Sequence, residues 1–343
     1  MAKAIKEKMP HAEFLYVGTS DGLEAKIVPE AGLDFKSVEI SGLRRSLSFE
    51  NVKTVFRLLG AIKKAKAYIK AFQPDLVVGT GGYVCAPVVY AAAKLKVKTM
   101  IHEQNSLPGL TNKALSRYVN KILICFEEAR NYFPENKVVL TGNPRASEVA
   151  TTHKVGKAAL GLNAHKKTVL ISGGSRGAKP INDAFVQMIK RYEAADFEVV
   201  FVTGDVHHAA IVEEIENAPA LQNVKILPFI TNMPQFLVSI DLFVGRSGAT
   251  FLSEITALGV ASILIPSPYV AENHQEFNAR SVTDGGGGVL LLEKELTGAR
   301  LYDEIERLLA DEGRLNAMRK TAKNLGIPDA NARILNVVEE LTK

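Results

Sequence analysis

Three glycine clusters, each after an apolar strand-like run and before a helical one, are the first candidates for chemistry. They are Gly79-Thr80-Gly81-Gly82-Tyr83, Gly173-Gly174-Ser175-Arg176-Gly177 and Gly245-Arg246-Ser247-Gly248-Ala249. A helix N-terminus offers unpaired N–H groups and partial positive charge, and glycine lets a phosphate come close to the backbone. Three such junctions suit a diphosphate better than any one alone. None has the P-loop form, and none is a G-x-G-x-x-G with an acidic residue closing the next strand, which argues against ATPase and dehydrogenase chemistry.

Polar residues cluster near these turns. Glu254 follows the third cluster on the helical segment ATFLSEITALG, where its carboxylate could accept hydrogen bonds from two adjacent ribose hydroxyls; the plainer reading is a glutamate favouring the helix dipole. Glu272-Asn273-His274-Gln275-Glu276-Phe277-Asn278 gathers amides and an imidazole after the strand SILIPSP, which fits either an amide-bearing sugar or a helix start capped by Asn273. In the first half, His102-Glu103-Gln104-Asn105 ends one strand and Asn143-Pro144-Arg145 another, and both should open onto a binding cleft. Adjacent strand residues point to opposite faces and no H-x-x-x-H or C-x-x-C accompanies His102, so no protein-bound metal is expected. Cys85 and Cys125 sit in apolar runs and read as buried thiols.

The elements that must hold these residues are those of an α/β protein. Short β-rich runs (FLYVGT, DLVVGTGG, TMIHEQ, KILICF, VVLTGNP, then TVLISGG, VVFVTG, KILPFI, DLFVGRSG, SILIPSP) alternate with helical segments, the pattern of two doubly wound parallel sheets. A Pro/Gly cluster and the polar stretch HKVGKAALGLNAHKK place the boundary near residue 144. The expected domains are 1–144 with 328–343, and 145–327, because Ile334, Val337, Val338 and Leu341 give the last helix an apolar face for the first domain. Gly285 to Gly288 reads as a helix-to-strand turn. MAKAIKEKMP reads as a helix leading into FLYVGT, and the first strand of a doubly wound sheet is normally central, so the chain reads as N-terminally short.

Residues 1–144 carry 21 Lys+Arg against 13 Asp+Glu, a net +8, while the remainder carries 21 against 24, or −3. The first half therefore faces something anionic: a phospholipid surface, a diphosphate or nucleic acid. Leu47 to Phe72 interleaves Phe49, Val52, Val55, Phe56, Leu59 and Ile62 with lysines and arginine, and could either lie on an anionic bilayer or pack on the sheet. No signal-peptide layout is present, and the longest uncharged run, Leu76 to Ala93, is broken by glycines and Pro87, which predicts a soluble intracellular protein.

Nine segments in order, YVGTSDGLEAKIVP, ISGLRR, GTGGYVCAP, HEQNSLPGLTNK, GNPR, ISGGSRGAKPIN, FITNMP, GRSGATFLSE and ENHQEFNA, resemble the MurG-type N-acetylglucosaminyltransferases of glycosyltransferase family 28 from Phe14 to the C-terminus. The resemblance implies a GT-B fold, two Rossmann-like domains facing a cleft. It implies inverting transfer of N-acetylglucosamine from UDP-GlcNAc to the muramoyl 4-hydroxyl of undecaprenyl-linked lipid I, giving lipid II in peptidoglycan synthesis, with no cofactor and no metal. By the same resemblance Ser175 contacts the diphosphate, Ile230 reads the uracil through its backbone, Glu254 holds the ribose, and Ala249, Thr250 and Phe251 line that pocket. Gln275 and Asn278 hold the sugar hydroxyls, while Asn105 and Arg145 reach the donor from the other domain. Gly81, Gly82, Tyr83 and His102 lie on the acceptor side. The implied location is peripheral, at the cytoplasmic face of the cell membrane, with an anionic membrane surface and other cell-wall synthesis proteins as partners and no nucleic acid.

One departure stands out. The family's first loop, of the form GGTGGHxxPA, has no counterpart, and its histidine is suited to take the acceptor proton; His11 does not occupy that place, so no catalytic base is assigned. The alternatives are a non-catalytic UDP-sugar-binding homologue and a related transferase with another lipid or polysaccharide acceptor.

Overall fold

The computed structural model describes residues 1–40, 49–215 and 221–343. ISGLRR beyond Ile40, with Arg44, Arg45 and Leu47, lies outside them. The chain divides into two compact units, Met1–Gly142 with Asp329–Lys343, and Asn143–Pro328.

The first unit holds two parallel sheets. β1 (Leu15–Gly18) pairs with β2 (Asp34–Ser37), and β3 (Leu76–Gly79), β4 (Lys98–Glu103), β5 (Lys121–Ile124) and β6 (Val138–Leu140) follow one another in a second sheet. The central pair β4 and β5 is apolar on both faces, as a helix-covered parallel strand must be. The period of two sorts their residues: Ile101, Ile122 and Ile124 meet Cys85 and Val89 of helix Cys85–Lys94, while Met100 and Leu123 meet the C-terminal helix Ala330–Thr342. That helix buries Ile334, Val337, Val338 and Leu341, each contributing about 1.5–3 kcal/mol.

Helix Phe49–Phe72 packs Ala61, Ala65 and Ile69, one turn apart, with Ala91 and Ala92 of helix Cys85–Lys94 close by. Phe56 and Leu59 stay out of that stripe, 70% and 58% exposed. β2 is an element the sequence hides. DFKS alternates because it edges its sheet, with Asp34 and Lys36 outward and Phe35 stacked on Tyr16 at 6.2 Å.

The second unit is one six-stranded parallel sheet in the order β12-β11-β10-β7-β8-β9. Its strands are β7 (Thr168–Ser172), β8 (Glu198–Val202), β9 (Val224–Leu227), β10 (Leu242–Gly245), β11 (Ala261–Leu264) and β12 (Val289–Leu290). β7, β8, β10 and β11 are buried throughout. Phe185, Tyr192 and Phe201 stack beside the sheet at 4.0–4.6 Å. The run Gly285 to Gly288 joins helix His274–Thr283 to β12 as a turn, with Gly286 at φ +84°.

Asp241, just before β10, ties the edge of this unit together. Its carboxylate accepts from Lys157 Nζ and Thr168 N at 2.9 Å each and from Arg319 Nη2 at 3.0 Å. Burial alone would raise its pKa, but Lys157, the Thr168 N–H and Arg319 hold it below the ordinary aspartate value. Stability from this depressed pKa is complete above the unfolded aspartate range and is lost as pH falls through the folded value. Asp241→Asn should therefore cost about 1–3 kcal/mol in urea unfolding near neutral pH. The gap from the parent protein should narrow below about pH 4, where the unfolded carboxyl is already protonated.

Candidate functional site

In the second unit the expected residues gather at the carboxyl ends of β7, β10 and β11, where parallel strands deliver their loops. The β10 end admits only glycine: a Cβ on Gly245 would lie 2.0 Å from the Ser172 carbonyl oxygen of β7. The following helix Ala249–Leu258 starts behind Gly248, with no side chain capping it, so its N–H groups face outward for a ligand. After β7, Gly174 at φ +93° and Gly177 at φ +73° bend the chain sharply, and Ser175 between them is exposed. Helix Lys179–Val186 then begins, also without a side-chain cap.

Glu254 stands in the second turn of helix Ala249–Leu258, 4% exposed. Burial raises its pKa, and Arg145, whose Nε donates to Glu254 Oε1 at 2.7 Å, works against that rise. Burial likewise opposes the charge on Arg145, but Glu254 and Glu148 more than restore it. Arg145, expected to approach from the other domain, belongs instead to the second unit. It opens helix Pro144–Ala150, capped by Asn143 Oδ1 and begun by Pro144, whose Ala146 and Val149 pack against Ala257. Glu254 is thus an oriented acceptor with a fixed cation beside it.

Beside it Ala249 is buried, Thr250 exposed, and Phe251 half-buried against Phe243 at 4.5 Å. Ile230 is buried. Ser247 Oγ donates to the Gln275 carbonyl at 2.7 Å, and Ser267 N donates to Gln275 Oε1 at 2.9 Å. Asn278, expected to meet sugar hydroxyls, is fully buried and donates through Nδ2 to the Ser247 carbonyl at 3.4 Å. Its amide nitrogen braces the turn from behind. Asn273 starts helix His274–Thr283 but does not cap it: at φ +54° its side chain turns to Glu276, 2.7 Å away.

In the first unit Gly81 and Gly82 take φ +90° and +75°, and Tyr83 beside them is 47% exposed. His102, expected to open onto the acceptor side, is instead buried at 2% exposure. Its Nε2–H donates to the Gly142 carbonyl at 3.0 Å, its Nδ1 accepts from Gln104 at 3.0 Å, and burial holds the ring neutral. The adjacent Glu103, equally buried, accepts from Asn105 N and Nδ2 at 2.9 and 3.2 Å, Gly109 N at 3.1 Å and Asn112 Nδ2 at 2.8 Å. Glu103 therefore shapes the loop that carries Asn105, a role the sequence left unassigned although HEQN-SLPG-LTN holds all its partners. Among the described residues no group of three or more His, Cys, Asp or Glu stands close enough to hold a metal. Cys85 and Cys125 are free and buried.

Two Rossmann-type parallel-sheet units, with glycine turns and a buried carboxylate at the strand ends of the second, are the architecture of the GT-B class. Residues 1–124 match the glycosyltransferase family 28 N-terminal domain and residues 168–334 its C-terminal domain, and the chain belongs to that family. It is 54% identical, over all of its length and 94% of the relative's, to the Bacillus cereus UDP-N-acetylglucosamine–N-acetylmuramyl-(pentapeptide) pyrophosphoryl-undecaprenol N-acetylglucosamine transferase 1. Its identity to the Bacillus subtilis enzyme of that name is 52%, over 99% of the chain and 94% of the relative. The crystal structure of Acinetobacter baumannii MurG superposes with a TM-score of 0.80 at 26% identity, covering 99% of this chain and 95% of that one. A Neisseria meningitidis UDP-GlcNAc 2-epimerase bound to UDP-GlcNAc shares the fold, with a TM-score of 0.68 at 16% identity over 99% and 96% of the two chains.

Glu103→Gln tests the loop clamp. An amide nitrogen would face either the two Asn105 donors or those of Gly109 and Asn112, so stability should fall by about 1–3 kcal/mol. Amide exchange at Asn105 and Gly109 should quicken about tenfold or more, while exchange in the second unit's β7 stays as before.

Proposed function

We propose that this chain transfers N-acetylglucosamine from UDP-GlcNAc to the muramoyl 4-hydroxyl of undecaprenyl-diphospho-MurNAc-pentapeptide, with inversion, giving lipid II and UDP. The acceptor oxygen bonds to C1 as the C1–O bond to the diphosphate breaks, and the hydroxyl proton passes to a base. The observation that carries this reading is the buried Glu254 carboxylate, held by Arg145 one turn inside a helix that begins uncapped after a glycine turn. It stands in a chain 54% identical to a relative named for this transfer. In this reading Glu254 takes the ribose hydroxyls, Ser175 and the Gly173–Gly177 backbone take the diphosphate, and Gln275 reaches the sugar. Asn278 acts behind Ser247. Asn105, set by the Glu103 clamp, takes part in donor binding, and the Gly81–Tyr83 turn serves the acceptor side.

Labelled UDP-GlcNAc offered with lipid I and, separately, with diacylglycerol tests the assignment. Sugar should enter lipid I, and Glu254→Ala should lower kcat/KM for UDP-GlcNAc about 10- to 100-fold, roughly 1.4–2.8 kcal/mol of lost binding. Label in diacylglycerol alone would overturn the acceptor, and donor binding without turnover would make the chain a binding homologue.

We further propose that the first unit rests on the cytoplasmic face of an anionic membrane, where it meets other cell-wall synthesis proteins. Among the described residues no helix is long and apolar enough to cross a bilayer. Phe56 and Leu59 stand out from helix Phe49–Phe72 with Arg57 exposed between them, in the half of the chain with a net +8 charge. Lys94 lies over the Tyr90 and Tyr118 rings at 5.4 and 5.7 Å, and Lys113 over Tyr132 at 4.9 Å. Amphipathic rings with cations above them suit a headgroup layer. The double change Phe56→Ser with Leu59→Ser should weaken sedimentation with phosphatidylglycerol vesicles about tenfold, and raising salt should weaken the parent.

A further inference from the structure

In the second unit the turn after β7 is locked to the turn after β8. A Cβ on Gly177 would lie 2.1 Å from the Thr203 carbonyl oxygen, just past the end of β8, and one on Gly204 would lie 2.3 Å from the Gly177 nitrogen. Glycine at both positions lets the two turns press backbone to backbone. Asn182, buried in helix Lys179–Val186, donates through Nδ2 to the same Thr203 carbonyl at 3.0 Å and fastens them again. Whatever the β8 turn carries is thereby held at a fixed place beside Ser175.

What it carries is a pair of histidines. Helix Asp205–Ile215 leaves the turn with His207 and His208 in its first turn, and their surroundings differ. His208 Nδ1 lies 3.1 Å from Thr203 Oγ1, a hydrogen bond that holds the helix to the end of β8. The His207 side chain has no hydrogen-bond partner among the described residues. Its ring lies against the β7 turn, with Cδ2 2.9 Å from where a Cβ on Gly177 would stand. Nε2 is bonded to Cδ2, so the polar edge of the ring is one bond from that contact. His207 is half-buried, and Gly174, Ser175 and Arg176 of the turn it touches are exposed.

Strand order supplies a second argument. β8 lies between β7 and β9, so its end separates Ser175, assigned to the diphosphate, from Ile230 after β9, expected at the uracil. A nucleotide that spans the two passes over the β8 turn. We propose that His207 is a further donor-binding residue, whose ring N–H hydrogen-bonds the diphosphate of the sugar nucleotide beside Ser175. The inference rests on the donor reading given above and adds to it a side chain that the glycine backbone and a serine hydroxyl do not replace. Imidazole donates an N–H when neutral and carries a positive charge when protonated, and a diphosphate accepts from either form.

The test titrates the full chain with UDP and with uridine, which keeps the base and ribose but lacks the diphosphate. His207→Ala should weaken UDP about tenfold and leave uridine within about twofold of the parent. His207→Gln, whose amide restores an N–H donor, should recover most of that loss. The inference falls if His207→Ala binds UDP as tightly as the parent. It also falls if uridine is lost as strongly as UDP, because His207 would then only support the β8 turn. A parent chain that binds neither ligand would overturn the donor reading itself and the part of His207 with it, whereas a parent that binds UDP with His207→Ala unchanged overturns the histidine alone.

Discussion

A parallel strand cannot hand its chain directly to its neighbour; it must release it at the carboxyl edge into a helix that crosses back. The second unit is organised by that constraint. β7, β10 and β11 all end on one edge, each buried along its length; a Cβ on Gly245 would strike the Ser172 carbonyl of β7, and one on Gly173 the Ala178 amide of its own turn, so both positions are glycine. Helix N-termini therefore collect where the strands stop. Uncapped N–H groups and a buried carboxylate then stand in one region, which is what a nucleotide with its diphosphate and ribose calls for.

The polar residues around that edge divide into those that face outward and those that hold them. Arg145 is oriented by its own helix cap and in turn orients Glu254, so one of the deepest charges of the site is paired before any ligand arrives. Asn278 and Ser247 fix the turn from behind. Glu103 does the same for the loop of the first unit, converting six residues of irregular chain into a fixed shape through one buried carboxylate.

Much of this was written in the sequence. Apolar runs located ten of the twelve strands among the described residues, since buried parallel strands read as continuous apolar runs, the glycine turn before β12 pointed to an eleventh, and periodicity gave the C-terminal helix its apolar face. The glycine clusters and Glu254 announced a phosphate- and ribose-binding edge because their chemistry is local: a turn needs glycine wherever it lies, and a carboxylate accepts hydrogen bonds in any fold. β2 escaped notice because it is only four residues long and largely polar, with no apolar run to mark it. What the sequence could not settle was direction and partnership. Whether His102 faces solvent or the Gly142 carbonyl, and whether Asn278 reads a ligand or braces Ser247, depend on contacts between residues far apart in the chain. Only the packed structure brings Arg145 to Glu254, across 109 positions.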